Sequence, residues 1–349
     1  MQGNGFIKLV YLYYMKRPAF FIAFLFACNF LFAQNEDPEK LHENARTFMR
    51  QGDYANASLV LTRALALAPD NLEIAKDLAY DYYLQKQNQN GLDVLKPFLE
   101  KEHADDQAYQ IAGTIYRTMD QPKEAEKLYK KGIKQYPQSG PLYNEYGELL
   151  WGEQDFTAIK QWEKGIQQDP SYGDNYYNAC KYYYLTTDKI WSLMYAEIFI
   201  NIESFTARTA EVKNILLDGY KKLFANPNLL ADAKNKNKFE IAFLTTMNKQ
   251  GSVVVNGLNA ETLTMVRTRF ILDWNQLYAK QFPFKLFDKQ EQMLQAGLFP
   301  AYNQWIFGAS KNLAAYQNWI STNTEEYTAF SKFQQDVIFK VPSGQFYHQ

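Results

Sequence analysis

The chain has 349 residues, of which 47% are hydrophobic and 16% are aromatic. This length accommodates two structural units with a large buried surface. The formal net charge is −1 at pH 7, so the charge balance gives no indication of a nucleic-acid partner.

The N-terminal stretch carries the pattern of a targeting segment. An apolar run, AFFIAFLFACNFLFA, extends from Ala19 to Ala33, and Lys16 and Arg17 stand just before it. The run has the length of a signal-peptide core and is short for a membrane span. The abrupt change to polar residues after Ala33 predicts a cleavable signal peptide over residues 1–33, with no transmembrane span left after cleavage.

Three alternatives remain open in this segment. The run could stay in place as an uncleaved anchor, Met15 rather than Met1 could be the true start, or Cys28 could carry a lipid. Cleavage after Ala33 would leave Cys180 as the one cysteine, so no internal disulfide is expected. Cys180 is interpreted as a small packing residue at a helix crossing.

Small residues then recur at a fixed interval. Ala45, Ala79, Gly113 and Gly147 follow one another at steps of 34 residues. Other columns keep the same step. They hold large apolar residues (Phe48, Tyr82, Tyr116, Leu150), small residues (Ala57, Gly91, Ala125) and bulky residues (Leu61, Leu95, Tyr129), and a looser column follows (Ala64, Phe98, Gly132). A period of this size predicts a stack of helical hairpins.

These columns resemble the tetratricopeptide repeat (TPR), and the unit from Asp106 to Ser139 matches it best. A fourth unit keeps the columns with one residue deleted, and a decayed fifth unit follows over residues 171–205. The resemblance implies two antiparallel helices per unit, stacked into an all-α right-handed solenoid. It also implies a non-enzymatic binding scaffold that needs no cofactor.

In the family, the first helix of each unit lines the concave face of the solenoid. The resemblance therefore makes the outward positions of these helices the candidate peptide-binding residues: Arg46, Lys76, Tyr80, Tyr83, Gln110, Arg117, Asn144, Trp151, Tyr177, Lys181 and Tyr184. A mixture of Tyr, Trp and Arg with amides favours adaptable binding of an extended peptide. The alternative is that another part of the chain covers this face.

Residues 206–349 match no repeat. Helical patterns are predicted over residues 206–224, 260–281, 288–298, 301–322 and 325–339, and Gly251 to Asn256 is the one β-like run. The tail from Lys340 to Gln349 is expected to be extended and loosely held. The aromatic residues at helical spacing are interpreted as core, with an aromatic-lined cleft as the alternative: Phe270, Trp274, Tyr278, Phe282, Phe284, Phe287, Tyr302, Trp305, Phe307, Tyr316, Trp319, Tyr327, Phe330 and Phe333.

No pattern of catalytic or metal-binding residues stands out. The three histidines, His42, His103 and His348, are not paired at metal-ligand spacing, and no nucleotide-binding or nucleophile motif is present. Acidic residues such as Glu211 and Asp218 are interpreted as parts of solvated helix faces. The sequence therefore predicts no catalytic, cofactor-binding or metal-binding residue.

The sequence predicts a signal peptide (1–33), four TPR units with a degenerate fifth (38–205) and an aromatic-rich helical module (206–349). The predicted function is an exported scaffold in the periplasm or outer-membrane periphery of a Gram-negative bacterium, with other envelope proteins as partners. One alternative is that the C-terminal module is a glycan-binding or hydrolytic domain recruited by the repeats. Another is a purely structural part of an envelope assembly.

Overall fold

The computed structural model describes residues 36–348 except for Glu102, Asp232 and Asn256. The predicted signal peptide, with the questions of the start residue and of Cys28, lies outside these residues. All regular secondary structure in the described part of the chain is helical. None of the described helices combines the length and the hydropathy that crossing a membrane requires. The chain forms two compact units, one ending at Ala104 and one beginning at Asp105.

The first unit consists of two helical hairpins: α1 (Pro38–Arg50), α2 (Tyr54–Leu67), α3 (Leu72–Leu84) and α4 (Asn88–Glu100). The helices start where the sequence provides caps, since the side chains of Asp37, Asp53 and Asn71 each accept a hydrogen bond from a backbone N–H of the first turn. Gly52 turns the chain between α1 and α2 with a φ of 76°, a left-handed conformation that glycine adopts without a steric penalty.

The second unit begins with three more hairpins: α5 (Asp106–Thr118), α6 (Pro122–Gln135), α7 (Gly140–Gly152), α8 (Ala158–Gln168), α9 (Gly173–Leu185) and α10 (Lys189–Ile202). The predicted all-α hairpin array is therefore confirmed. The decayed fifth unit forms a complete hairpin from α9 and α10. Cys180 is buried in α9, as expected of a packing residue, and burial raises the pKa of its thiol.

Close helix crossings explain the column of small residues. A Cβ added to Gly113 would lie 2.2 Å from the ring of Tyr129, and one added to Gly147 would lie 2.4 Å from the ring of Trp162. Tyr129 and Trp162 are the bulky column residues of the second helices in the same hairpins. The first helix thus lacks a side chain where the second helix inserts a ring, which is why the two columns repeat together.

The rest of the second unit continues from the fifth hairpin. Its helices are α11 (Ala207–Phe224), α12 (Lys238–Asn248), α13 (Ala260–Leu277), α14 (Lys285–Gln295), α15 (Phe299–Asn303), α16 (Ala309–Lys311), α17 (Leu313–Thr322) and α18 (Thr324–Asp336). A π-helical turn, Gln304–Gly308, lies between α15 and α16, and 3₁₀ turns occupy Ala233–Asn235 and Gly251–Val254.

The structure corrects three expectations for this part. Helix α12 was not predicted, because it is buried on most sides and lacks an amphipathic period. The β-like run at Gly251 is a 3₁₀ turn. The helix predicted over residues 301–322 is interrupted by the π-helical turn and by Asn312, which is extended and caps α17 by accepting a hydrogen bond from the N–H of Ala315.

Helix α10 forms the centre of the second unit. Every residue from Ile190 to Asn201 is buried. The hydrophobic core around it extends from Ala158 to Val341 and so includes residues on both sides of the predicted domain boundary between residues 205 and 206. That domain boundary stays a prediction. All the aromatic residues singled out in the C-terminal part are buried or half-buried, and all of them except Tyr316 belong to this core or pack against it.

One charged pair lies inside the core. Glu197 of α10 and Arg267 of α13 form a salt bridge in which each residue is 1% exposed. Glu197 Oε1 also accepts hydrogen bonds from Tyr302 Oη at 2.9 Å and from Gln290 Nε2 at 2.6 Å. Because an unpaired buried charge is costly, these contacts fix α13, α14 and α15 against α10.

We expect Gly147→Ala to destabilise the protein by about 1–3 kcal/mol, because the new methyl group would overlap the buried Trp162 ring. Gly152→Ala in the same helix is the matched control, because its Cβ would meet no atom within 4 Å. This control should be neutral or stabilising by up to about 1 kcal/mol. Urea unfolding measures both changes, and equal stabilities for the two variants would contradict the close crossing.

Candidate functional site

Side chains of alternate helices in the second unit are hydrogen-bonded to one another at spacings of 31 or 34 residues. These helices are α5, α7, α9 and α11, the first helix of each hairpin and the helix that follows the last hairpin. We call the connected side chains the polar ladder; its members are Thr114, Arg117, Asn144, Glu145, Glu148, Asp174, Tyr177, Asn178, Lys181, Tyr184, Arg208, Glu211 and Asp218.

The first step of the polar ladder joins α5 to α7. The Arg117 Nη1 atom lies 3.2 Å from Glu148 Oε2 and 3.4 Å from Glu145 Oε2. Thr114 Oγ1 donates to Glu145 at 3.2 Å. Burial raises the pKa of Glu145, and the Arg117 guanidinium opposes this shift only in part. Glu145 therefore depends on Arg117 and its hydrogen-bond donors to remain charged.

The next steps join α7 to α9 and α9 to α11. Asn178 Nδ2 donates to Asn144 Oδ1 at 2.8 Å, which links α9 to α7. Tyr177 Oη donates to Glu211 at 2.6 Å, and Lys181 Nζ lies 3.0 Å from the same carboxylate. The bond from Tyr177, followed by the charge of Lys181, lowers the pKa of Glu211.

The last step of the polar ladder lies near the C-terminal end of α9. Tyr184 Oη donates to Asp218 of α11 at 2.7 Å. Lys222 Nζ lies 3.1 Å from Asp218 Oδ2 and 3.7 Å from the centroid of the Tyr184 ring. The bond from Tyr184 lowers the pKa of Asp218. The ladder therefore presents a row of side chains whose rotamers are fixed by their neighbours.

Seven of the eleven predicted peptide-binding residues lie in the second unit. Arg117, Asn144, Tyr177, Lys181 and Tyr184 belong to the polar ladder, and the side-chain amide of Gln110 lowers the pKa of Glu145. Trp151 is 39% exposed at the end of α7 and packs against Phe156 and Tyr182 at centroid distances of 5.8 and 5.9 Å. Asn144 is 3% exposed, so it positions its neighbours rather than presenting a free group.

The other four predicted residues lie in the first unit. Arg46 Nε donates to Asp77 of α3 at 2.6 Å, which repeats the 31-residue spacing. Lys76 is 4% exposed and pairs with Glu73 at 2.6 Å, so it is not the outward-facing residue that the sequence predicted. Tyr80 and Tyr83 stack on one another with centroids 5.9 Å apart. For all eleven residues the binding role stays a prediction.

One group of side chains has the composition of a metal site. Ligand atoms of Asp188, Glu240 and His348 lie within 4.8 Å of one another. However, the Lys236 ammonium forms a salt bridge with Asp188 and lies 3.5 Å from Glu240. The ammonium of Lys236 thus already neutralises these carboxylates, and the four side chains form an ionic network rather than a metal site.

This network holds the C-terminal tail. His348 Nδ1 lies 2.6 Å from Glu163 Oε1, and the Tyr347 ring stacks on Phe239 at a centroid distance of 4.6 Å. Tyr347 Oη donates to the carbonyl of Pro283 at 2.7 Å. The tail is extended as expected, but the expectation that it is loosely held was wrong. Nothing in the sequence around His348 indicated that its partner is Glu163 of α8.

No protein-family model matches the chain, and no curated protein matches it. Solved structures with similar helical arrangements include PilF of Pseudomonas aeruginosa (12% identity, 60% of this chain, 96% of that chain, TM-score 0.45). They also include a thermophilic TPR protein of Thermus thermophilus (12%, 54%, 99%, 0.42) and a tetratricopeptide repeat protein of Parabacteroides merdae (14%, 72%, 96%, 0.41). The described hairpin array is consistent with TPR, and the likeness at these identities concerns the fold alone.

The docking of the tail should depend on pH. Burial lowers the pKa of His348, but the bond to Glu163 and the charges of Glu240 and Asp188 outweigh burial and raise it overall. The stabilisation from protonated His348 is therefore fully present below its unfolded pKa of about 6.5 and is lost as the pH rises through the higher folded pKa.

At pH 6, His348→Ala should reduce the protection of tail amides against hydrogen exchange by about fivefold, which corresponds to about 1 kcal/mol for a half-buried ion pair. Wild-type protection should fall toward that of the variant at high pH. His103→Ala serves as the control, because His103 is exposed. Unchanged protection in His348→Ala would show that the ion pair does not hold the tail.

Proposed function

We propose that this protein is an exported, non-catalytic scaffold that binds an extended peptide segment of another cell-envelope protein on the polar ladder. The observation that carries the proposal is the ladder itself, in which side-chain bonds link four helices in series, α5 to α7, α7 to α9 and α9 to α11. Stacked helical repeats commonly use such extended surfaces for protein binding. The ionic and hydrogen-bonded contacts between helices hold the side chains in place before a partner arrives, which reduces the entropy lost on binding.

The dimensions of the row suit a short extended peptide. Neighbouring packed helices lie roughly 8–10 Å apart, so three intervals between four helices span about 25–30 Å. An extended strand advances about 3.3 Å per residue, so the row accommodates about eight or nine peptide residues. We expect a segment of this length to be protected by the complex.

The exposed members of the row define its chemistry. The side chains of Lys181, Glu211 and Glu148 are 42%, 46% and 41% exposed. Positive and negative groups alternate with Tyr hydroxyls and amides, which suits a peptide backbone and polar side chains of low net charge. Trp151, at one end of α7, supplies an aromatic surface of the kind that often dominates binding energy.

The export part of the proposal rests on the sequence. Residues 1–33 have the pattern of a signal peptide, which favours a periplasmic or outer-membrane-associated protein and partners in the same compartment. In the first unit, the Arg46 contact and the Tyr80–Tyr83 stack present the same residue types, so we propose a binding role for this face by itself as well.

Photo-crosslinking in cells tests the proposal. We would place benzoylphenylalanine at Trp151 or Lys181, both on the polar-ladder side, and at the exposed Lys127 of α6 or Lys160 of α8 as matched controls on second helices. We expect the first two positions to crosslink one envelope protein within a segment of about nine residues. Crosslinks from all four positions alike, or from none, would contradict binding at this face.

A peptide made from the crosslinked segment allows the energetics to be measured. Trp151→Ala and Lys181→Ala should each weaken its affinity by about 1–2 kcal/mol, or about five- to thirtyfold, because both side chains are exposed contacts rather than core residues. Lys127→Ala should leave the affinity unchanged. Calorimetric titration of the purified chain provides the measurement.

A further inference from the structure

A concave site lies in the second unit beside the start of α11. It is a cleft of about 660 Å³ between the start of α11, the π-helical turn, α17 and α18. Small-molecule sites usually occupy roughly 300–1,000 Å³. We call it the Lys213 cleft, after the one lysine that lines it. Its other walls combine aromatic rings with serine and threonine hydroxyls.

Lys213 is a half-buried cation for which no described carboxylate provides a salt bridge. Its Nζ atom lies 3.4 Å from the centroid of the Trp305 ring. Burial lowers the pKa of Lys213 to about 7, and no charged neighbour opposes this shift. Glu203, which precedes the cleft residue Ser204, is engaged by Arg208. Of the other half-buried lysines in this unit, Lys181 and Lys236 have carboxylate partners, and Lys189 donates to the backbone carbonyls of Tyr184 and Thr186. The cleft therefore offers a desolvated positive charge without a counter-ion.

The walls around Lys213 suit a flat molecule. Trp305 is 6% exposed, and the ring of Phe205, which is 65% exposed, meets it edge-on at a centroid distance of 6.3 Å. On another wall the hydroxyls of Tyr316 and Tyr327 are 2.7 Å apart. The first turn of α11 also lines the cleft with Thr206 and Thr209. The positive end of a helix of 18 residues adds to the potential that favours an anion.

We propose that the Lys213 cleft binds a small organic carboxylate with a flat apolar face, the carboxylate pairing with Lys213 and the apolar face packing on the exposed ring of Phe205. A single lysine suits a monoanion better than a phosphate, which is commonly held by several donors or by an arginine fork. Two kinds of molecule share this chemistry, an acidic sugar and an aromatic acid. The proposal does not depend on peptide binding at the polar ladder.

Titration calorimetry of the purified chain with two pairs of probes tests this site. Glucuronate is compared with neutral glucose, and indole-3-acetate is compared with neutral indole-3-ethanol. We expect one carboxylate to bind and its neutral counterpart to bind at least tenfold more weakly. Binding of glucuronate would indicate an acidic sugar as the ligand, and binding of indole-3-acetate would indicate an aromatic acid.

Variants of the cleft distinguish the effect of the Lys213 charge on binding from an effect on folding. Lys213→Met keeps the apolar stem and should lose at least tenfold in affinity, while Lys221→Met, an exposed position in the same helix, should bind as the wild type does. Phe205→Ala should weaken binding severalfold. Because a half-buried cation without a counter-ion destabilises the folded state, the melting temperature of Lys213→Met should be unchanged or higher, so lost binding would not reflect unfolding.

The affinity should also fall by about tenfold or more between pH 6 and pH 9, as free Lys213 loses its proton. The other titratable groups that line the cleft are Tyr316 and Tyr327, and burial raises the pKa of Tyr316. Failure of both carboxylates to bind at millimolar concentration would overturn the proposal. Equal binding by Lys213→Met, or by the neutral probes, would overturn it as well.

Discussion

The second unit depends on a single buried ion pair, formed by Glu197 and Arg267. Glu197 belongs to a helix whose residues from Ile190 to Asn201 are all buried, so its charge has to be matched from other helices. Arg267 of α13, Gln290 of α14 and Tyr302 of α15 provide the match. A hydrophobic surface would accept many packings, but a buried carboxylate disfavours those that leave it without these donors, because an unpaired buried charge is costly.

This constraint explains how the stack of hairpins ends. In a repeat array each hairpin covers the apolar face of the one before it, and the last hairpin needs a different cover. Here α10 departs from the repeat pattern by becoming buried all round, and the C-terminal helices enclose it in one core. Helix α11 then takes the place of the next first helix, which is why Glu211 and Asp218 bond to Tyr177 and Tyr184 of α9.

The sequence was sufficient for the hairpins, because their packing repeats at a fixed step. Gly113 and Gly147 are small for the same steric reason, and each has its ring partner in the same relative position. The C-terminal helices show no such repeat, so their positions had to be predicted from each segment by itself. Helix α12 was missed since burial on most sides removes the amphipathic period, although Asn237 and Glu240 form a capping box that is visible in the sequence. The π-helical turn carries no comparable sequence signal.

The sites differ in the same way. The first-helix positions were predictable from the repeat, but their pairing across helices was not, because Tyr177 meets Glu211 only once α11 has docked. Lys213 and Trp305 lie far apart in sequence and meet only in the folded unit.

In the polar ladder the charges of Arg117 and Lys181 are balanced by neighbouring carboxylates, so a partner there gains mainly from shape and pre-organisation. In the Lys213 cleft the charge is left unbalanced, so a ligand there can contribute an ion pair that the fold itself does not make. The two surfaces should therefore respond differently to salt and pH, with the cleft losing affinity as the lysine deprotonates and the ladder changing little over the same range.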